Sequence, residues 1–334
     1  MQFQPRHCPL PDCPSHTSRH FRWRRKGRFN RLCDGRSVPR FTCLECHRTF
    51  PSQTFRVDYR LRKPRLHLVL FRDFVSKTTM RQSARTLGCT RRTVAHRLAL
   101  LGKHCREFHN SMLERARARG GLGGTFQLDE LETFEDSRRL KPVTVPVLIE
   151  RQSYFVLHAA CAPLPARGGL SPAWRKKKED LEREFGKRRS GSVAVVRESF
   201  ELLARWHQPA GPVAVQTDRK SSYAASLKRI FGHRVRHERH SSQAVRSYGN
   251  PLFPINHTLA MMRDGVSRLV RRTWAAAKLR DRLALHLWIW IAYRNYVRGI
   301  TNESPHTTPA MALGVDPGKW KREELLAWRV FEAA

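Results

Sequence analysis

Two apolar runs in this chain each lead into an aspartate: Thr125-Phe126-Gln127-Leu128-Asp129 and Val213-Ala214-Val215-Gln216-Thr217-Asp218. A strand holds its side chains on a rigid scaffold. Two such strands side by side place two carboxylates where divalent cations can be shared between them. A strand ending in aspartate is also a common turn, so the order of the surrounding elements has to supply the meaning. Strand-like runs span Thr144–Ile149 and Ser153–Ala160. The charged stretch Arg175–Arg189 has the composition of an exposed helical excursion. Helix-like Val193–Trp206, helix Ser222–Phe231, a short strand around Val235 and a helical region from about Asn256 to Val297 complete the series. Three strands followed by alternating helices and strands suit a mixed sheet covered on both faces by helices.

At 334 residues the chain has room for two or three domains, each with its own core. Lysine and arginine number 64 against 28 acids, a formal net charge of +36. An excess of that size points to a polyanion, and nucleic acid is favoured over a membrane surface. No lysine-rich amphipathic helix lies beside a lipid anchor, as a surface-bound protein would need. The first seven residues lack the apolar core of a secretory signal. Leu283–Val297, the most apolar run, contains His286 and Arg294 and is too short to span a bilayer. A reducing cytoplasm is the expected setting, where paired cysteines read as metal ligands before disulfides.

Residues 1–64 read as a zinc ribbon. Cys8 and Cys13 form one pair and Cys43 and Cys46 the other, separated by a basic segment, Phe21-Arg22-Trp23-Arg24-Arg25-Lys26, suited to gripping phosphate. All four positions are filled, so the zinc is expected to be structural; His7, Cys33 and His47 are possible substitutes for one ligand. Residues 65–118 follow as a helix-turn-helix. Met80, Ala84 and Leu87 share one face, Gly88 makes the turn, Thr90 caps the second helix, and Val94, Leu98 and Leu101 continue the apolar stripe. Arg91, Arg92, Thr93 and His96 then lie near the start of the second helix, where side chains reach base edges in a major groove. The glycines of Arg119–Gly124 suggest a flexible break before the sheet.

The ordered set of Arg40–Phe50 with its Cys-Leu-Glu-Cys, the helix-turn-helix, Leu128-Asp129-Glu130 and Thr217-Asp218 resembles the transposases of the first-described bacterial insertion-sequence family and their relatives. The resemblance spans nearly the whole chain, although each motif is short. It implies a multidomain α/β protein with an RNase H-like catalytic domain over 124–300, a basic insertion near 165–190 and a helical appendage over 301–334. An acidic triad, usually Asp, Asp and Glu, would hold magnesium or manganese for two-metal DNA cleavage and strand transfer. The implied partner is double-stranded DNA, at the element's ends and its target. A homo-oligomeric active complex, no membrane association and a cytoplasmic, nucleoid-associated location in a bacterium are also implied. Asp129 and Asp218 match the first two acids, provided their strands lie adjacent and parallel.

The third acid departs from the pattern. In the family a glutamate opens the last helix and a basic residue follows seven positions on; here Asn256 and Arg263 hold those places. Asparagine can ligate magnesium through its carbonyl oxygen but brings no charge. Asp264 ranks second and Glu238 third as the missing ligand, while alternation turns Glu130 away and leaves Glu132 a distant substitute for Asp129. Beyond Arg263, a basic helix is expected to pack Leu269, Val270 and Trp274 on the sheet and to present Arg268, Arg271 and Arg272 to DNA or solvent. Trp288 and Trp290 read as core. Two other readings survive: a transposase-derived DNA-binding protein impaired in catalysis, and a zinc-ribbon regulator.

Overall fold

The computed structural model describes residues 3–18, 20–166, 168–245, 247–270 and 275–329. These fall into two units, one made of the residues up to Val69 together with those from Glu323 onward, the other Leu70–Arg322.

In the first unit, β1 (Trp23–Asn30), β2 (Ser37–Cys43) and β3 (Thr49–Pro51) form an antiparallel sheet in that order. β1 is an edge strand whose residues from Arg24 to Asn30 are exposed. Its register shifts between Arg25 and Arg28, where Gly27 takes a positive φ. Such a bulge with charged residues keeps an edge from pairing with other chains. The core is small and largely aromatic: Phe41 and Phe50 pack with Cys8, Cys13 and Cys43, with Phe3, Phe21, Trp23 and Phe55 around them.

The second unit takes in most of α1 (Leu66–Phe74), then α2 (Met80–Thr86) and α3 (Arg91–Ala118). α2 starts with a capping box: Gln82 N–H donates to Thr79 Oγ1 (3.3 Å) while Thr79 N–H donates to Gln82 Oε1 (2.9 Å). Gly88 turns the chain at φ +55°, and Thr90 caps α3 by accepting from Thr93 N–H (3.2 Å). Val94, Leu98 and Leu101 are fully buried on α3, as their spacing required. α3 continues for 28 residues, far beyond the turn, as the backbone of this unit. It lies so close to α8 (Arg280–Ala292) that a Cβ at Gly102 would meet Leu285 O at 2.5 Å.

β4 (Thr125–Phe134), β5 (Pro142–Glu150), β6 (Val156–Ala159) and the two-residue β7 (Ala162–Pro163) follow α3. Next come α4 (Pro172–Phe185), α5 (Ser192–Trp206), β8 (Val213–Asp218), α6 (Ser221–Phe231), β9 (Val235–His240) and α7 (Phe253–Gly265). The sheet runs β6-β5-β4-β8-β9, with β7 also on β5. β4, β5 and β6 are antiparallel, whereas β4, β8 and β9 are parallel. This is the mixed sheet that the element order suggested, and β4 and β8 are adjacent and parallel as the carboxylate pairing required. α4 has no buried residue and is the exposed excursion expected there. Trp288 and Trp290 on α8 are core, also as expected.

Several expectations change. β4 does not stop at Asp129; pairing with β5 carries it to Phe134. The glycine run is no free hinge, since Leu122 is buried and its N–H donates to Trp206 O (2.8 Å). The helical region expected from Asn256 to Val297 is broken: α7 ends at Gly265, and a 3₁₀ turn spans Ser267–Leu269. α8 begins at Arg280, and a π-helical turn closes the run at Tyr293–Val297. Arg268 is buried against Met80 and does not face outward, whereas Leu269 is buried as its stripe suggested; Arg271, Arg272 and Trp274 lie outside the described residues. The short helices α9 (Pro309–Ala312) and α10 (Arg322–Ala327) are the last elements among the described residues. No helix among the described residues is long and apolar enough to cross a membrane.

Candidate functional site

Position on β4 is set by its two neighbours. β8 pairs with it from Thr125↔Ala214 to Leu128↔Thr217, so the next step sets Asp129 beside Asp218. β8 ends there, while β4 continues against β5 alone. The two carboxylates thus stand where the sheet narrows, and it is the end of β8, not of β4, that opens space beside Asp129. Both side chains are partly exposed. Each carboxylate is oriented by a backbone donor: Glu130 N–H to Asp129 Oδ1 (2.7 Å), and Lys220 N–H to Asp218 Oδ1 (2.9 Å).

Alternation along β4 divides the surrounding side chains between the two faces. On one face Glu130 accepts from Tyr223 OH (3.0 Å), Thr144 Oγ1 (2.5 Å), Ser192 Oγ (2.9 Å) and Lys220 Nζ. Glu130 therefore points away from Asp129 into α5 and α6, as expected, and these bonds, Lys220 foremost, outweigh burial and hold its carboxyl below its ordinary range. Glu132 shares Glu130's parity and cannot stand in for Asp129. Burial raises the Tyr223 hydroxyl well above its ordinary value, and the charges of Glu130, Asp129 and Asp218 add to the effect. It stays a proton donor.

On the other face a polar ladder crosses three strands. Gln127 Nε2 donates to Gln216 Oε1 (2.8 Å), and Gln216 Nε2 donates to Glu238 Oε2 (2.8 Å). Gln127 also holds the start of α7: its Nε2 donates to Pro251 O (2.6 Å) and its Oε1 accepts from Ile255 N–H (3.1 Å). Gln127 is fully buried, so these bonds are costly to lose. Sequence reading missed this ladder because a glutamine inside an apolar run carries no spacing signal.

The clamp brings the first turn of α7, and Asn256 with it, to the face that carries Asp129 and Asp218. Asp264 lies two turns further along, about 12 Å by helical rise; it is exposed and pairs with Lys77 (3.5 Å). Glu238 stands on the same face but pairs with Gln216, two residues below Asp218, and is engaged by Gln216 and by Arg236 (3.0 Å). The structure thus brings Asp129, Asp218 and the helical turn that carries Asn256 to one face and sets Asp264 apart. Arg263 is half-buried in the last turn of α7. On the helix pair, Arg91, Arg92 and His96 are exposed at the start of α3, and Thr93 is half-buried.

The four cysteines converge. Cys8, Cys13, Cys43 and Cys46 have their sulfurs within 4.8 Å of one another, with Cys8 Sγ to Cys46 Sγ at 3.6 Å and Cys13 Sγ to Cys43 Sγ at 3.9 Å. Tetrahedral zinc–thiolate bonds of about 2.3 Å place sulfurs about 3.8 Å apart. The donor set fits zinc. Burial pushes the Cys8 thiol up to about 12, so a thiolate there calls for a cation beside it. Cys33 is exposed, and neither it nor His7 nor His47 belongs to the cluster. No other group of three or more His, Cys, Asp or Glu residues converges this closely among the described residues.

No protein-family model matches the chain, and no curated protein matches it. Among solved structures it is similar to the catalytic domain of Mos1 mariner transposase, at 16% identity and a TM-score of 0.21 over 59% of this chain and 90% of that one. The same domain with raltegravir and magnesium shows 16% identity and a TM-score of 0.21 over 57% of this chain and 92% of that one. Likeness at this level assigns neither family nor activity.

Proposed function

We propose that the protein is a DNA transposase of the DDE type, with an RNase H-like catalytic domain that uses Asp129 and Asp218 to hold divalent cations for phosphoryl transfer. The observation that carries this reading is the placement of the two aspartates on adjacent parallel strands, at the point where one strand ends. Two carboxylates and an amide carbonyl form a hard oxygen set that suits magnesium or manganese. Such ions, when bound, lower the pKa of an attacking water or 3′-hydroxyl and neutralise charge on the leaving oxygen. The chain's own part is orientation: backbone donors fix both carboxylates, and Gln127 fixes the turn that carries Asn256.

Zinc would hold the ribbon together, and double-stranded DNA is the partner that a net charge of +36 fits. The exposed run on β1 would contact phosphates, while Arg91, Arg92, Thr93 and His96 would meet base edges. Replacing Arg24, Arg25 and Lys26 together by alanine should flatten the salt dependence of DNA binding. Loss of three phosphate contacts lowers the log–log slope by about 2.7. An unchanged slope would remove β1 from the interface.

The test of the site itself is metal-dependent cleavage of DNA carrying the element's own ends. Asn256→Glu is the informative variant, because it adds the charge that the family pattern places there. If Asn256 faces the ions, the variant should bind Mg²⁺ about tenfold or more tightly, read by titration of cleavage against metal concentration. No change in the Mg²⁺ midpoint would place Asn256 outside the site. Should only Asn256→Glu cleave, the wild type would be the impaired DNA-binding relative.

A further inference from the structure

We propose that His240 is a further metal ligand of this site, a nitrogen donor in one row with Asp129 and Asp218. The proposal deepens the reading of the aspartates as cation ligands and rests on it. Asp218 and His240 are register partners on the parallel strands β8 and β9, and each is the last residue of its strand. With Asp129 beside Asp218, the three residues occupy equivalent positions on three neighbouring strands.

Their common face is set by the row two residues earlier. Gln127, Gln216 and Glu238 are register partners in the same way, and their side chains bond across the strands at 2.8 Å and 2.8 Å. A strand repeats its facing every two residues, so Asp129, Asp218 and His240 share the face of that ladder and of the α7 turn docked on it. His237, of opposite parity, pairs through Nε2 with Thr217 Oγ1 (2.8 Å). His240 makes no such bond: its Nε2 is buried and has no hydrogen-bond partner among the described residues. A buried imidazole nitrogen left without a partner in a row of carboxylates calls for an explanation, and ligation supplies one.

The chemistry also fits the departure at Asn256. With an amide where the family pattern has a carboxylate, the site holds fewer strong donors. A neutral imidazole adds one without adding charge. Because magnesium prefers oxygen ligands, an imidazole favours transition metals that accept nitrogen.

The test is Mn²⁺ binding to the full chain with its cysteine site kept loaded with zinc, read by electron paramagnetic resonance. Pulsed spectra of the bound Mn²⁺ should show ¹⁴N modulation from a directly ligated imidazole. His240→Ala should abolish that modulation and weaken Mn²⁺ binding about tenfold, in the range by which removal of supporting groups lowers metal affinity. His240→Gln, which keeps a polar side chain of similar reach, serves if the alanine variant fails to fold. Asp218→Asn should reduce Mn²⁺ binding more severely than either. Mn²⁺ binding that depends on Asp218 but shows no ¹⁴N modulation, or modulation that survives loss of His240, would overturn the proposal and leave the aspartate reading intact. Binding indifferent to Asp218→Asn, or no binding by the wild type, would overturn both.

Discussion

Asp218→Asn is expected to reduce metal-dependent strand cleavage by about a thousandfold or more while leaving DNA affinity within about twofold. The loss follows from charge. Removing one of two carboxylates from a divalent-cation site forfeits several kcal/mol of transition-state stabilisation, and about 4 kcal/mol is about a thousandfold in rate. Asparagine is the better first substitution because its carbonyl oxygen can still accept the Lys220 N–H bond that Asp218 Oδ1 accepts at 2.9 Å. Asp218→Ala would lose that bond too, at a cost of about 1 kcal/mol, and would mix a change in the β8–α6 turn with the chemistry. Asp129→Asn should behave alike, since its carbonyl oxygen can still accept the Glu130 N–H bond that Asp129 Oδ1 accepts at 2.7 Å. Cleavage by both variants at near wild-type rates would end the two-metal reading. Parallel loss of DNA binding would point to a folding or interface role for these aspartates.

Stripping zinc, or replacing Cys43 by serine, should unfold the three-stranded ribbon and abolish binding to element-end DNA. The cysteines are part of its core: Cys8 and Cys43 are fully buried beside Phe41 and Phe50. A core of two buried phenylalanines with a rim of partly buried aromatics is too small to offset the entropy of ordering the chain without a staple. Structural zinc contributes about 10–16 kcal/mol in comparable small domains. The near-ultraviolet signal of Trp23, stacked edge-on to Phe41 at 5.1 Å, reports the collapse directly. Full retention of that signal after metal analysis shows zinc removed would refute the four-cysteine assignment.

Much of this architecture was legible in the residues themselves. Capping by Thr90, the turn at Gly88 and the burial of Val94, Leu98 and Leu101 are local consequences of side-chain chemistry and helical period, and they appear where the sequence placed them. The cysteine pairs announced their convergence because two pairs of closely spaced cysteines are a ligand pattern that turns readily present to one metal ion. Other features were misread where long-range contacts overrode local pattern. β4 extends beyond Asp129 because β5 pairs with it to Phe134, which the residues after Asp129 do not signal. Arg268 was assigned to the surface by its charge, yet the chain breaks after Gly265 and turns it inward against Met80.

The amino-acid sequence by itself determined the order of elements, the four-cysteine cluster and the two aspartates at issue, because these depend on residue type and on spacing within one segment. Only the tertiary structure decided which residues share a face. Register between β4, β8 and β9 is a property of three segments far apart in the chain. It is this register that sets Asp129 beside Asp218, gives Gln127 its hold on α7 and carries His240 into their row. A pairing slipped by one residue would keep every local preference satisfied and turn each of these side chains to the opposite face.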